Sequence, residues 1–125
     1  MKANREYLAA EKLLEFSEDN SLTEAICLHS AESVKKFIKS YSVLNEIPFE
    51  ETDSLDEIIS KCKQRDPDFE NVKTGNITGY INKIWTPEGS IPTLKEAHEA
   101  FRASQAVRIF ILDKLHLSVK DLQQS

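Results

Sequence analysis

The stretch from Ser21 to Ile47 contains neither proline nor glycine and stops just before Pro48. Within it, five apolar residues follow the spacing i, i+3, i+4, i+7 and i+10, so they fall on one side of a helix. A helix of this length would measure about 40 Å, and its wide apolar face would need partners on more than one side. We therefore predict that it is the central helix of an all-α domain. The apolar residues are Val34, Phe37, Ile38, Tyr41 and Leu44.

Helix-start signals divide the chain into segments. The S/T-x-x-E pattern of a capping box begins at Ser21, Ser54 and Thr93, and Asp66-Pro67 offers a side-chain cap with proline in the first helical position. Because each signal opens an apolar-periodic run, we predict an antiparallel, mostly up-and-down bundle of about five helices. The predicted helices are Asn4–Ser17, Ser21–Ile47, Ser54–Gln64, one that starts at Pro67, and Thr93–Leu115.

The predicted helix from Pro67 contains Gly75 and Gly79, and each glycine costs about 1 kcal/mol relative to alanine inside a helix. Either the helix is bent or interrupted near Gly75, or the two glycines allow another backbone to approach closely. The longest irregular stretch follows at Trp85–Pro92. A chain of 125 residues has the length of one domain. We therefore expect a single domain over residues 1–125, with its core at about 4–116 and a C-terminal tail at about 117–125.

The composition is that of an ordinary globular protein, with 40% hydrophobic and 30% charged residues. No apolar run approaches the roughly 20 residues that span a bilayer, and the charged N-terminal segment does not have the pattern of a signal peptide, so we expect a cytoplasmic protein. The net charge of −5 argues against a general nucleic-acid binder, although a local basic patch remains open.

Several kinds of site find no support in the sequence. Cys27 and Cys62 lie in apolar helical patterns without a neighbouring Cys or His at zinc-ligand spacing, so we expect buried thiols and no metal. The acidic run around Asp53 suits solvation and helix starts rather than paired-carboxylate catalysis. The three glycines are not grouped into a phosphate-binding loop. We expect no cofactor.

Several short segments stand in a recognisable order: Ala10–Leu14, His29–Lys39, Thr52–Leu55, Asp66–Phe69, and Tyr80 followed by Trp85-Thr86-Pro87. Their order and spacing resemble the HEPN domain, the helical module of prokaryotic two-component nucleotidyltransferase systems and of many RNA-cleaving toxins. The resemblance covers residues 4–116, almost the whole chain. It implies a helical homodimer that works with a separate minimal nucleotidyltransferase in a toxin–antitoxin-like system and covers that partner's nucleotide site.

The chain departs from this family in three places. Many HEPN domains have a His before the third helix, where this chain has Asp53 or Ser54, and an Arg before the Tyr-Pro that closes the fourth helix, where this chain has Ile84. Nuclease members carry an Arg, four to six residues, then a His, whereas seven residues separate Arg108 from His116 here. Eight helical steps place these two about 80° apart and over two turns away from each other. We therefore predict no catalytic residues and expect ribonuclease activity to be absent.

Five residues are candidates for binding a nucleotide or a partner, and each has a plainer interpretation. His29 matches a family position and could contact a nucleotide or a partner, or it is a hydrogen-bonded histidine at an interface. Lys36 and Lys39 lie with Lys35 in a basic strip that could attract phosphate or an acidic partner, but such strips are often the solvated side of a helix. His98 and Arg102, four apart on the last helix, share a face that would suit a phosphate, or they lie beside Lys95 and Glu99 on a solvated surface.

Two functional hypotheses from different classes follow, with a third that involves no ligand. The first is a non-catalytic homodimer that binds a nucleotide or partners a minimal nucleotidyltransferase. The broad apolar content of the last helix, which includes Ile109 and Phe110, indicates packing against a second molecule. The alternative is a divergent metal-independent ribonuclease, with His98, Arg102 and Arg108 assembled across a dimer. The third is a purely structural or regulatory dimer.

Overall fold

The computed structural model describes residues 2–16, 22–74, 77 and 92–116. Within these ranges every regular element is a helix and none is a strand, which confirms the predicted all-α class. The predicted Tyr80 and Trp85-Thr86-Pro87 matches, the loop at 85–91 and the C-terminal tail lie outside the described residues. The elements are α1 (Lys2–Glu15), α2 (Thr23–Leu44), α3 (Leu55–Arg65), a 3₁₀ helix η1 (Pro67–Asn71) and α4 (Leu94–Lys114).

The predicted central role of α2 is visible in its contacts. It packs against both α1 and α4, and it also touches α3. Seven of its apolar side chains are buried in the core, which is why a single helix can organise the packing of the others. Leu44, predicted to lie on this apolar face, is instead 65% exposed. The buried apolar residues of α2 are Ile26, Cys27, Ala31, Val34, Phe37, Ile38 and Tyr41.

Pairs of contacts fix the helix directions. The Ser33 hydroxyl donates to the carbonyl of Ala3 at 3.1 Å, and Glu6, one turn further along α1, reaches His29, one turn back on α2. The helices α1 and α2 are therefore antiparallel.

The direction of α4 follows from its contacts with α1. Asn4 binds Arg108, whereas Tyr7 lies further along α1 and packs on Phe101, earlier in α4. As a result, α4 is antiparallel to α1 and runs in the same direction as α2.

The residues around η1 join the C-terminal ends of α2 and α4, and we call them the η1 cluster. The Tyr41 hydroxyl donates to Asp66 at 3.1 Å, and Lys114 lies 2.9 Å from the same carboxylate oxygen. The ring of Phe69 packs between those of Tyr41 and Phe110, at centroid distances of 4.7 and 5.1 Å. One short helix thus holds two long helices together. The η1 cluster consists of Tyr41, Asp66, Asp68, Phe69, Phe110 and Lys114.

The predicted helix from Pro67 is wrong in its described part. Pro67–Asn71 is a 3₁₀ helix, and Val72 has extended backbone angles. The Asp66 carboxylate does accept from the amide of Asp68, as the predicted cap requires. The bonds that follow are of the i→i+3 type, such as that from the amide of Val72 to the carbonyl of Phe69, and the next residues (Lys73, Thr74, Gly75, Asn76) include three poor helix formers. The interruption therefore comes before Gly75.

Two predicted capping signals are confirmed. Thr93 and Glu96 form a complete capping box at the start of α4, and the Ser54 hydroxyl accepts from the amide of Glu57 at the start of α3. Helix α2 begins at Thr23 with Leu22 in the N-cap position, and the predicted box at Ser21 falls outside the described residues.

Helix α2 ends three residues earlier than predicted, because it is closed by a Schellman-type turn. The amide of Ile47 donates to the carbonyl of Ser42 at 2.8 Å, and the amide of Glu46 donates to that of Val43 at 3.2 Å. Glu46 has a φ of 55°, in the left-handed region that favours glycine. The apolar side chain that follows, Ile47, is buried against the core. Glu46, which has a Cβ, therefore occupies the position where this turn usually has glycine.

We expect Glu46→Gly to raise the free energy of unfolding by about 0.5–1 kcal/mol, because it removes the strain of a non-glycine residue at positive φ. Urea denaturation followed by circular dichroism would measure the change. Glu46→Ala is the matched control: it removes the same carboxylate but keeps the Cβ, and should not reproduce the gain. Equal stabilisation by both variants would show that charge, not backbone geometry, is responsible.

Candidate functional site

Three of the predicted site residues lie along one side of α2, where it faces α1. His29 and Lys36 are seven residues apart, which is two helical turns, and Lys39 follows one turn later. Glu6 of α1 joins the first two: its carboxylate oxygens lie 2.7 Å from His29 Nδ1 and 3.0 Å from Lys36 Nζ. This bridge ties α1 to the middle of α2.

The electrostatics of Glu6 follow from its two partners. Burial acts to raise the pKa of Glu6, but the hydrogen bonds from His29 and Lys36 outweigh it and hold the pKa below its ordinary value. Glu6 is therefore a carboxylate at neutral pH, and it offsets part of the positive charge of the strip. This role could not be predicted from local patterns, because Glu6 looks like any solvent-facing acid of a surface helix.

Lys39 has different and looser surroundings. Its Nζ lies 3.4 Å from the carboxylate of Glu51, an exposed residue, and 5.7 Å from the ring centre of Phe49. A single exposed ion pair of this kind contributes little to stability. The ammonium group of Lys39 can therefore exchange Glu51 for another anion without disturbing the core.

An open groove of about 400 Å³ lies beside these lysines. Its floor is apolar, and Val43 and Leu44 within it are 66% and 65% exposed. Its charged lining residues are all lysines. We call it the α1–α2 groove; it is lined by Lys2, Ala3, Lys36, Lys39, Ser40, Val43 and Leu44.

The groove exists because α2 extends further than α1 at the side of the helix pair where α1 starts and α2 ends. Helix α2 continues for eleven residues beyond Ser33, the residue opposite Ala3, which amounts to about 16 Å. The described part of α1 has a single residue, Lys2, before Ala3. Val43 and Leu44, in the last turn of α2, therefore lie beyond the described part of α1, and their side chains are exposed.

The other two predicted site residues lie apart from this region. His98 and Arg102 are exposed on one face of α4, and neither makes a hydrogen bond or ion pair with the residues that the structure describes. No described contact joins them to His29, Lys36 or Lys39. The five candidates therefore form two separate groups, one on α2 and one on α4.

Arg108, the cation of the alternative ribonuclease hypothesis, takes part in helix packing. Its Nε donates to the side chain of Asn4 at 3.0 Å, and its guanidinium lies 4.4 Å from the ring centre of Tyr7. Both partners are buried. His116 lies beyond the end of α4 with a φ of 56°. Arg108 therefore holds α1 against α4, and it is not free to orient a phosphate beside His116.

Asp53 stands where many HEPN domains have a His, and its contacts stabilise the local structure. Its carboxylate accepts a hydrogen bond from Lys61 at 2.6 Å and one from the amide of Glu50 at 2.9 Å. The Lys61 hydrogen bond is the main reason why the pKa of Asp53 lies below its ordinary value. These contacts fix the linker before α3.

Two further properties bear on the site. Among the described residues, no three His, Cys, Asp or Glu side chains are grouped so that they could hold a metal ion. None of the helices in the described ranges combines the length and apolar character needed to cross a bilayer.

Comparison with known proteins places these observations in a family. The HEPN domain model matches residues 1–114 of the 125-residue chain, a range that ends where α4 ends. Searches of curated proteins and of solved structures returned no match. Because the family model covers nearly the whole chain, and because the described fold is all-helical as the resemblance implied, the chain belongs to the HEPN domain family.

Proposed function

We propose that this protein is a non-catalytic HEPN-type homodimer that works as the helical partner of a minimal nucleotidyltransferase in a cytoplasmic, toxin–antitoxin-like system. The single observation that carries the proposal is the lysine-lined apolar groove beside α2. The proposal includes the five-helix, mostly up-and-down arrangement and a single domain. It gives two contact surfaces, one with His29, Lys36 and Lys39 and one with His98 and Arg102, for a nucleotide or the partner.

Charge supports the assignment of the groove to a partner. The chain has 21 acidic against 16 basic residues, yet the charged residues of the groove are all basic. A cationic patch on an acidic protein attracts anionic groups selectively and raises the rate of encounter with them. Such groups include the acidic surface of a partner or the phosphates in its nucleotide site.

Two observations support the homodimeric and non-catalytic parts of the proposal. Ile109 on α4 is 61% exposed, so this helix carries an apolar side chain suited to contact with a second copy. Arg108 is committed to Asn4 and Tyr7, so the pairing of an arginine with a histidine that metal-free RNA cleavage needs is not available at this position.

Native mass spectrometry tests the proposal directly. The chain should be a dimer alone and should form a complex with a minimal nucleotidyltransferase encoded beside it. The double variant Lys36→Gln/Lys39→Gln should weaken that complex about tenfold, because it removes two charges from the groove. Lys35→Gln, at a lysine of the same helix outside the groove, should leave it unchanged. A stable monomer that forms no such complex would contradict the proposal.

The ribonuclease alternative keeps one specific observation in its favour. His98 and Arg102 share an exposed face of α4, where a second copy could bring two such pairs together. If this alternative holds, the wild type should cleave RNA without metal and His98→Ala should abolish the cleavage. Glu99→Ala, next to it on α4, would serve as the control. Absence of cleavage by the wild type would remove this candidate.

A further inference from the structure

The shape of the α1–α2 groove restricts what can bind there. It is open to solvent, and its floor includes the exposed side chains of Val43 and Leu44 in the last turn of α2. Sites for small molecules usually enclose most of the ligand's surface, which an open trough of about 400 Å³ cannot do. An amphipathic helix, by contrast, binds by laying one apolar face into such a groove.

The spacing of the lining residues fits the same kind of ligand. Lys36, Ser40 and Val43 follow each other at i, i+4 and i+7, so they form a straight row along α2. Lys2 and Ala3 of α1 form the opposite wall. A rod-shaped apolar surface would lie along this row with its flanks next to the lysines.

The charges then decide between a second copy of the chain and a different partner. In a two-fold symmetric contact each groove would face itself, so Lys2, Lys36 and Lys39 of one copy would meet the same lysines of the other. Like charges placed together in this way oppose association. Glu6 offsets Lys36 in part and Glu51 offsets Lys39 in part, but neither carboxylate lines the groove. A partner with acidic flanks removes the repulsion and adds attraction.

We infer that the α1–α2 groove binds an amphipathic helical segment of a partner polypeptide, with its apolar face on Val43 and Leu44 and its flanking Asp or Glu residues beside Lys2, Lys36 and Lys39. The inference rests on the proposed function in so far as the groove is the contact surface for another protein. It goes further by naming the chemistry of the segment that binds.

Fluorescence anisotropy with designed peptides tests the inference. The probe is a labelled helical peptide of about 18 residues with leucine at i, i+3, i+4 and i+7 and glutamate on both flanks. It should bind the full chain, and binding should weaken as salt increases. The same peptide with lysine in place of glutamate should bind at least about tenfold more weakly. Equal binding of the two peptides would overturn the assignment.

Variants of the chain locate the binding site. Val43→Gln/Leu44→Gln should weaken binding about tenfold without changing the fold, because both side chains are exposed. Phe16→Gln is the matched control, an exposed apolar residue just after α1 and outside the groove, and should bind normally. Lys2→Glu/Lys39→Glu should reverse the preference toward the lysine-flanked peptide. Circular dichroism and thermal unfolding of each variant would verify that it remains folded.

Other outcomes would identify a different occupant and contradict the inference. If Val43→Gln/Leu44→Gln converts a native dimer to a monomer, the groove is a contact between copies. If ATP displaces the peptide from the wild type but not from Lys36→Gln/Lys39→Gln, it is a nucleotide site. The peptide assay contains no nucleotidyltransferase, so it can fail independently of the proposed function. If the peptide does not bind, and if Val43→Gln/Leu44→Gln still forms a complex with the nucleotidyltransferase, the inference is refuted and the proposed function remains intact.

Discussion

Replacing Phe69 with alanine is expected to lower the free energy of unfolding by about 3–5 kcal/mol, the largest effect of any single change considered for this protein. The side chain is 1% exposed, and it packs between Tyr41 of α2 and Phe110 of α4. Its removal would take away buried apolar area and two aromatic contacts, and would leave a cavity that flanking helices cannot easily close.

Urea denaturation of the wild type, Phe69→Leu and Phe69→Ala would measure the effect. Phe69→Leu keeps most of the volume and should be the milder of the two. Phe16→Ala is the matched control, since Phe16 is 69% exposed, and it should change stability by no more than about 0.5 kcal/mol. A loss below 1 kcal/mol for Phe69→Ala would show that η1 does not hold α2 and α4 together.

Replacing Asp66 with alanine is expected to destabilise the fold by about 2–3 kcal/mol. The Asp66 carboxylate caps η1 through the amide of Asp68, accepts from the Tyr41 hydroxyl, and pairs with Lys114 at 2.9 Å. Alanine removes all three contacts at once. The cap and the Tyr41 bond use different oxygens of Asp66. Asp66→Asn keeps one oxygen, which can accept from the amide of Asp68, but it loses the oxygen that accepts from Tyr41 and pairs with Lys114. It should therefore lie between the wild type and Asp66→Ala in thermal unfolding.

The same residue should make stability depend on pH in acid. The hydrogen bond from Lys114 is the main cause that holds the pKa of Asp66 below its ordinary value. A carboxylate whose folded pKa is depressed contributes stability above its unfolded pKa, which is about 3.9, and loses that contribution as pH falls through the folded pKa. Stability should therefore fall below about pH 4, and it should fall less steeply in Asp66→Asn.

Chemical denaturation at pH values from about 2 to 7 would measure this dependence. Some loss should remain in Asp66→Asn, because the pKa of Glu6 and that of Asp53 are also lowered. Glu32→Gln, which removes a carboxylate of α2 that has no ion pair among the described residues, is the control. An acid profile of Asp66→Asn that coincides with that of the wild type would contradict the role given to the Lys114 pair.

Much of the fold could be predicted because its signals are local. The spacing of apolar residues in α2 and the capping box at Thr93 each depend on residues within a few turns of one another. The end of α2 was harder to predict, because its Schellman-type turn has Glu46 rather than glycine at the position of positive φ. A full helix from Pro67 was predicted because Phe69 and Val72 have helical spacing. The prediction failed because Phe69 lies on a 3₁₀ helix, from which its side chain is still buried in the core.

The candidate site was harder to predict from the sequence, because its contacts join residues that are far apart in the chain. The bridge from Glu6 to His29 and Lys36 spans more than twenty residues and depends on how α1 pairs with α2. The groove depends on the level at which α1 packs along α2, which no local pattern encodes. Leu44 illustrates the difficulty: it follows the apolar period of α2, but it lies where no helix among the described residues covers it.

The extension of α2 beyond α1 has a consequence for how this protein can change during evolution. Val43 and Leu44 lie outside the core, so polar replacements there would have little effect on folding. Selection for stability alone would let these two positions drift toward polar residues, while Phe37 and Ile38, buried on the same helix, would remain apolar. Persistent apolar residues at positions 43 and 44 among related chains would therefore record selection for binding rather than for folding.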